Sequence, residues 1–363
     1  MRIASVETIL VSIPYETGPT RGWPDWTHLN TVLVRIETDD GLVGWGDAFG
    51  YHAARATKAA VDHIIAPLLI GRDATDIARL SYELQQKTHL LGRYGITTFA
   101  ISGVDIALWD LAGKAAGQPL ARLLGGSTDR TFASYASFAR YDEPEVVAER
   151  VSAAVNAGYR YVKLHEVTYE TAKAAREAGG DDMALMVDTN CPWTEREALA
   201  MARRFKPLNL YWLEEPVFPP EDFAALARVQ AAGGVPLAAG ENACTSFEFA
   251  AMFRSGAVTY AQPSVTKVGG VSEFRKIIAL AEHGPSTIVP HAPYFGPGFL
   301  ATLHLMASLP HGSLVERLYV EPEAQYFGDA VNPVAGSFTV PDGPGLGIDP
   351  DPNVIKDYRV ADA

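Results

Sequence analysis

The stretch MALMVDTN, residues 183–190, is a short apolar run that stops on an aspartate. Two further stretches repeat that rhythm. LYWLEEP (210–216) stops on glutamates, and VPLAAGEN (235–242) stops on a glutamate and an asparagine. Asp188 to Glu214 is 26 positions and Glu214 to Glu241 is 27. A spacing of that size holds one strand, one helix and two loops, so each stretch reads as the strand of a β/α unit. Side chains alternate along a strand, and chemistry in a parallel barrel gathers at the C-terminal strand ends. Three successive strands would therefore present one carboxylate apiece to the same place.

The pattern extends in both directions. TFASYASF (131–138), YRYVKLHE (159–166), VTYAQPSV (258–265), STIVPHAP (286–293) and GSLVERL (312–318) are the remaining candidate strands, with Ala-rich helical stretches between them. Eight strands at roughly 25-residue intervals predict an α/β fold, a parallel barrel over 126–334. The first 125 residues differ. IASVETILVSIP (3–14) and HLNTVLVRIETDDGLVGWGDAF (28–49) read as strands with a turn at TDDG, and helical patterns follow. That is an α+β unit. The Pro/Gly-rich segment 335–363 is expected to wrap back over the surface.

Bulk composition narrows the function. The chain has 363 residues, 48% hydrophobic and 20% charged, with a formal net charge of −13 and no basic run. Nucleic acid and anionic membrane need a basic footprint that is missing. The two cysteines, Cys191 and Cys244, form no disulfide framework and read as packing residues. The N-terminus lacks the apolar core of a signal peptide, and no apolar stretch reaches the ~18 residues of a membrane span. A cytoplasmic protein is expected.

The strand ends carry the candidate chemistry. Three converging carboxylates, Asp188, Glu214 and Glu241, repel one another unless a cation joins them, and hard oxygen ligands suit Mg2+. Lys163 and His165 share one strand face, just before the acidic strands, and Asn190 follows Asp188. A lysine or histidine there is a candidate base acting on a metal-bound substrate.

The ordered set GVDIALWDLAGKAAGQPLARLLGG (103–126), VDTN, WLEEP, GEN, QPSVTKVGG, VPH and LVERL resembles the enolase superfamily, and within it the mandelate racemase-like group. The resemblance implies a modified (β/α)7β TIM barrel with an N-terminal α+β capping domain. It implies Mg2+ on Asp188, Glu214 and Glu241, and removal of the proton α to a substrate carboxylate through an enediolate. It also suggests a homo-oligomer. Two positions depart from the group. His165 stands where a second lysine is usual, and Ser264 stands where an aspartate usually orients the histidine matched by His291. Without that carboxylate His291 is a weaker base and a better acid. Glu316 falls where the group has a glutamate near the substrate carboxylate.

This asymmetry favours a one-way reaction over racemisation. The expected activity is a lyase, dehydrating an acid sugar to a 2-keto-3-deoxy acid, with Lys163, His165 and His291 as catalytic residues. A racemase, epimerase or cycloisomerase is the alternative, and a catalytically impaired metal-binding protein is the alternative from another class. Specificity is expected from the capping loops, with Arg21, Trp23, Trp26, His28, Tyr51 and His52 as contacts, Arg21 for a distal carboxylate, and Arg93 and Tyr94 as further candidates.

Overall fold

The computed structural model describes residues 1–16 and 18–361. Three antiparallel strands open the chain: β1 (Ile3–Pro14), β2 (His28–Thr38) and β3 (Val43–Ala48), in the order β1-β2-β3. The β2–β3 turn falls at TDDG, where Gly41 takes φ +84°. The helix Ile96–Ala116 packs on this sheet at backbone distance. A Cβ on Gly46 would sit 2.0 Å from the Gly103 carbonyl oxygen, so glycine is required at that crossing. By length and composition this helix could cross a membrane, contrary to the expectation that no stretch qualifies. In the fold 78% of its most apolar window is buried. Its apolar residues face β3 on one side and the helix Gly270–Ala281 on the other, so its hydropathy reflects a position between two layers.

The second sheet is the barrel. Its parallel strands are β4 (Thr131–Ser137), β5 (Tyr161–Leu164), β6 (Ala184–Asp188), β7 (Trp212–Glu214), β8 (Leu237–Ala239), β9 (Tyr260–Ala261), β10 (Thr287–Ile288) and β11 (Val315–Leu318). Helices follow the first seven, giving (β/α)7β. The ladder runs β10-β9-β8-β7-β6-β5-β4-β11. Side chains bridge the seam between β10 and β11. The Ser313 hydroxyl donates to the Ile288 carbonyl at 2.8 Å, and the Glu316 carboxylate accepts from the Ala292 N–H at 2.9 Å. A twelfth strand, β12 (Ser337–Thr339), pairs antiparallel with β4.

Local signals explain the helices. Thr194 and Glu197 form a reciprocal capping box at the start of Glu195–Phe205, and that helix buries Ala198, Ala202 and Phe205, one per turn. The N-terminal layer grips the barrel through helix N-termini. Asp47 of β3 accepts the Gly298 N–H at the head of Pro297–Ser308. Asp105 accepts the Ser272 N–H at 2.9 Å in Gly270–Ala281. The C-terminal segment returns to the first layer, where the Leu346 N–H donates to Asp110 and the Val360 N–H to the Leu10 carbonyl, each at 2.8 Å.

Candidate metal and proton-transfer site

Alternate strand residues fill the barrel in layers. Tyr135, Met186, Trp212, Ala238 and Val289 make a separate apolar plug. The next layer toward the strand C-termini is ionic. Lys163 from β5 is 0% exposed, and its Nζ lies 2.9 Å from Glu316, 3.0 Å from Glu214 and 3.3 Å from Asp188. Burial opposes the ammonium charge, but Glu214, Glu316 and Asp188 outweigh it and hold the lysine pKa well above its usual value. Burial likewise opposes the charge on Asp188 and Glu316, and Lys163 holds both pKa values low. For Glu214, burial and the Asp188 charge act together and push its carboxyl well up. One cation therefore does not neutralise this cluster.

Oxygens of Asp188, Glu214 and Glu241 come within 4.8 Å of one another. Each is held from behind. The Asn190 backbone N–H and side-chain amide both donate to Asp188 Oδ1 at 3.0 Å, and Trp212 Nε1 donates to Glu214 Oε2 at 2.9 Å. Burial raises Glu241, yet His291 and Lys267 bring its carboxyl down to about 2. The backbone at the strand ends turns sharply to aim these groups inward. Asn190 (φ 54°), Cys191 (φ 56°) and Glu215 (φ 45°) all sit in the left-handed region, which strains a non-glycine residue and gathers at functional sites. Three oxygen-only donors, deficient in positive charge and braced by hydrogen bonds, fit a small divalent cation.

Two histidines face the cleft above this cluster, on walls separated by β4 and β11. His165 Nδ1 donates to the Phe138 carbonyl, which can only accept. That leaves Nε2, 3.1 Å from Asp188 Oδ2, as the nitrogen free to exchange a proton. His291 Nε2 lies 2.9 Å from Glu241 Oε2, and its Nδ1 lies 3.1 Å from the Tyr294 hydroxyl. Tyr294 is hydrogen-bonded to Ser264 in turn. Ser264 thus reaches the imidazole through Tyr294.

The cleft encloses about 370 Å3. Glu316, Asn190, Trp23, Tyr51 and His52 line it along with the two histidines and Glu241. Six other expected site residues do not line it: Asp188 and Glu214 are fully buried in the carboxylate cluster, and four more lie elsewhere. Lys163 lies beneath its floor, and Ser264 is buried behind Tyr294. Arg21 points outward, its side chain 70% exposed and 3.6 Å from Glu143, while the neighbouring Gly22 N–H is tied to the Arg140 carbonyl. His28 turns to the Thr27 hydroxyl at the start of β2. The further candidates also point elsewhere. Arg93 pairs with Gln85, and the Tyr94 hydroxyl donates to the Asn242 carbonyl. Cys191 Sγ donates to Glu215 at 3.4 Å, and Cys244 is buried. Thr17 of the first capping loop lies outside the described residues.

Several contributors left no mark in the sequence. Arg140 Nε donates to the His165 carbonyl at 2.6 Å, and its own carbonyl holds Thr20 and Gly22 of the capping loop. Trp23 then packs on His165 with ring centroids 4.7 Å apart. Tyr294 could have been suspected from its spacing of three from His291 in HAPY; Arg140 carries no such signal.

Comparison with known proteins agrees with this geometry. Residues 26–125 match the mandelate racemase / muconate lactonizing enzyme N-terminal domain, and residues 146–354 match the enolase C-terminal domain-like family. A 3,6-anhydro-α-L-galactonate cycloisomerase from Streptomyces coelicolor is 34% identical, over 95% of this chain and 96% of that protein. An arabinonate dehydratase from Saccharolobus solfataricus is 33% identical over 91% of each. The crystal structure of a racemase from Streptomyces coelicolor with bound magnesium superposes with a TM-score of 0.86 at 32% identity, covering 99% of this chain and 100% of that one.

Proposed function

The chain belongs to the mandelate racemase / muconate lactonizing enzyme family of enolase-like proteins, and from that premise we propose that it dehydrates an acid sugar to a 2-keto-3-deoxy acid. Asp188, Glu214 and Glu241 hold Mg2+ in this reading. The bound ion supplies the positive charge that makes loss of a proton α to a carboxylate feasible. His165 removes that proton at Nε2, with the Phe138 carbonyl keeping the ring in place. His291, on the other wall, gives a proton to the β-hydroxyl, which leaves as water. The C–H electrons become the new C=C bond as the C–O bond breaks, and the resulting enol tautomerises to the ketone. Lys163 holds the ligand carboxylates together and Glu316 lies beside the substrate carboxylate. Asn190, Trp23, Tyr51 and His52 contact the remaining chain. Ser264 and Tyr294 orient His291.

The observation that carries this reading is the unlike pair of histidines. Each Nε2 stands beside a ligand carboxylate, Asp188 for His165 and Glu241 for His291, but the Nδ1 partners differ. His165 donates to the Phe138 carbonyl, whereas His291 meets the Tyr294 hydroxyl, backed by Ser264, which cannot stabilise an imidazolium from that side as a carboxylate would. Racemisation needs matched bases, whereas elimination needs one base and one acid. Incubating the Mg2+-loaded protein with a panel of acid sugars and trapping 2-keto acids with semicarbazide tests it. No 2-keto acid from any of them, with the protein folded and loaded, would overturn it. Cycloisomerisation is the second reading, favoured by the Streptomyces coelicolor relative. It predicts a product of unchanged mass where dehydration predicts loss of one water.

A further inference from the structure

The walls of the cleft narrow the substrate class further, given the reading above. Among the described residues no arginine or lysine lines it. The two nearby lysines are committed elsewhere. Lys163 is held by three carboxylates, and Lys267, 5% exposed, lies 3.9 Å from Glu241 and 4.7 Å from the centroid of the Phe49 ring. Arg140 turns its guanidinium to the carbonyls of His165 and Thr189 and to the side-chain oxygen of Asn190. The wall contributed by the N-terminal domain is Trp23, Pro24, Trp26, Tyr51 and His52, with the acidic Asp25 among them. Trp23 already packs on His165, so an aromatic surface begins immediately beyond the proton-transfer position.

Such a wall accepts the C–H face of a neutral chain or ring, and its indole N–H groups serve hydroxyls. A second carboxylate there would lose water and find no guanidinium or ammonium, only the His52 imidazole, with the acidic Asp25 on the same wall. We infer that the substrate is a sugar monoacid with a neutral distal end, and that aldaric acids, which carry a carboxylate at each end, are excluded by this wall.

The test compares kcat/KM for aldonates with aldarates of matched configuration, on the Mg2+-loaded protein. The expected result is at least about a hundredfold preference for the monoacid. Asp25→Arg, which places a cation on the same wall, should narrow that ratio at least about tenfold. An aldarate turned over as well as the best monoacid, or a ratio unmoved in Asp25→Arg, would overturn the inference. Calorimetry with the same ligands separates it from the reaction assigned above. If nothing is turned over but monoacids bind and aldarates do not, the dehydratase reading falls and this one stands. Aldarates binding more tightly, or no monoacid binding at all, would sink it.

Discussion

At the scale of single residues, the site depends on where each nitrogen's partner sits. Tyr294 touches His291 directly, whereas Ser264 touches only Tyr294. Tyr294→Phe should therefore lower kcat by about 10- to 100-fold with KM little changed, and Ser264→Ala should cost less. Steady-state kinetics on the best acid sugar would show the order, and the reverse order would refute the relay. His165→Asn and His291→Asn should each lose about 10^2- to 10^4-fold in kcat. If both kept full turnover, the acid and base assignments would fail. Lys163 poses a different question, since it is buried and paired three ways. Lys163→Met should lower the Tm of the metal-free protein by about 6–10 °C, because three carboxylates lose their shared cation. Saturating Mg2+ should recover part of that loss. Equal losses with and without Mg2+ would show that Lys163 does not balance ligand charge.

At the scale of elements, the joint between the N-terminal sheet and the barrel has its own pH dependence. Burial pushes the Asp47 carboxyl up to about 7, despite the Gly298 N–H that it accepts. A carboxyl raised in the folded state binds its proton more tightly there than in the unfolded chain. Its contribution is full below the unfolded pKa near 4 and is lost as pH rises through about 7. Asp47→Asn keeps an oxygen for Gly298 and has nothing to titrate. Relative to the parent, Asp47→Asn should therefore gain about 2–6 °C in Tm between pH 4 and pH 8. Thermal melts across that range check it, and a flat difference would place the burden on other groups.

At the scale of the whole molecule, the proposed Mg2+ would tie three β/α units of the barrel together through the carboxylate cluster. Mg2+ binding only the folded state should raise Tm by several degrees at about 100 times its Kd. Chelation should reverse the shift, and Asp188→Asn should abolish most of it. Melts of both proteins with and without Mg2+ measure this directly.

The barrel and its acidic strand ends were legible because both rest on local regularities. Strand parity and the spacing of β/α units place Asp188, Glu214 and Glu241 together whatever the details of packing. The strand lengths were less legible. His165, Asn190, Glu241, Ser264 and His291 lie beyond the hydrogen-bonded ladders, on the loops that follow the strands. Other features depended on contacts between residues far apart in the chain. Lys163 and His165 share a strand face, so sequence could not say which one meets the cleft. The tertiary structure sinks Lys163 among three carboxylates and leaves His165 at the surface of the cleft, under Trp23. Arg21 and Trp23 are two positions apart in one loop, yet only Trp23 enters the cleft. That outcome follows from the tie between Gly22 and Arg140, 118 positions along the chain. Periodicity determined which strand ends meet, while the direction of each long side chain was decided by partners that only the folded chain brings near.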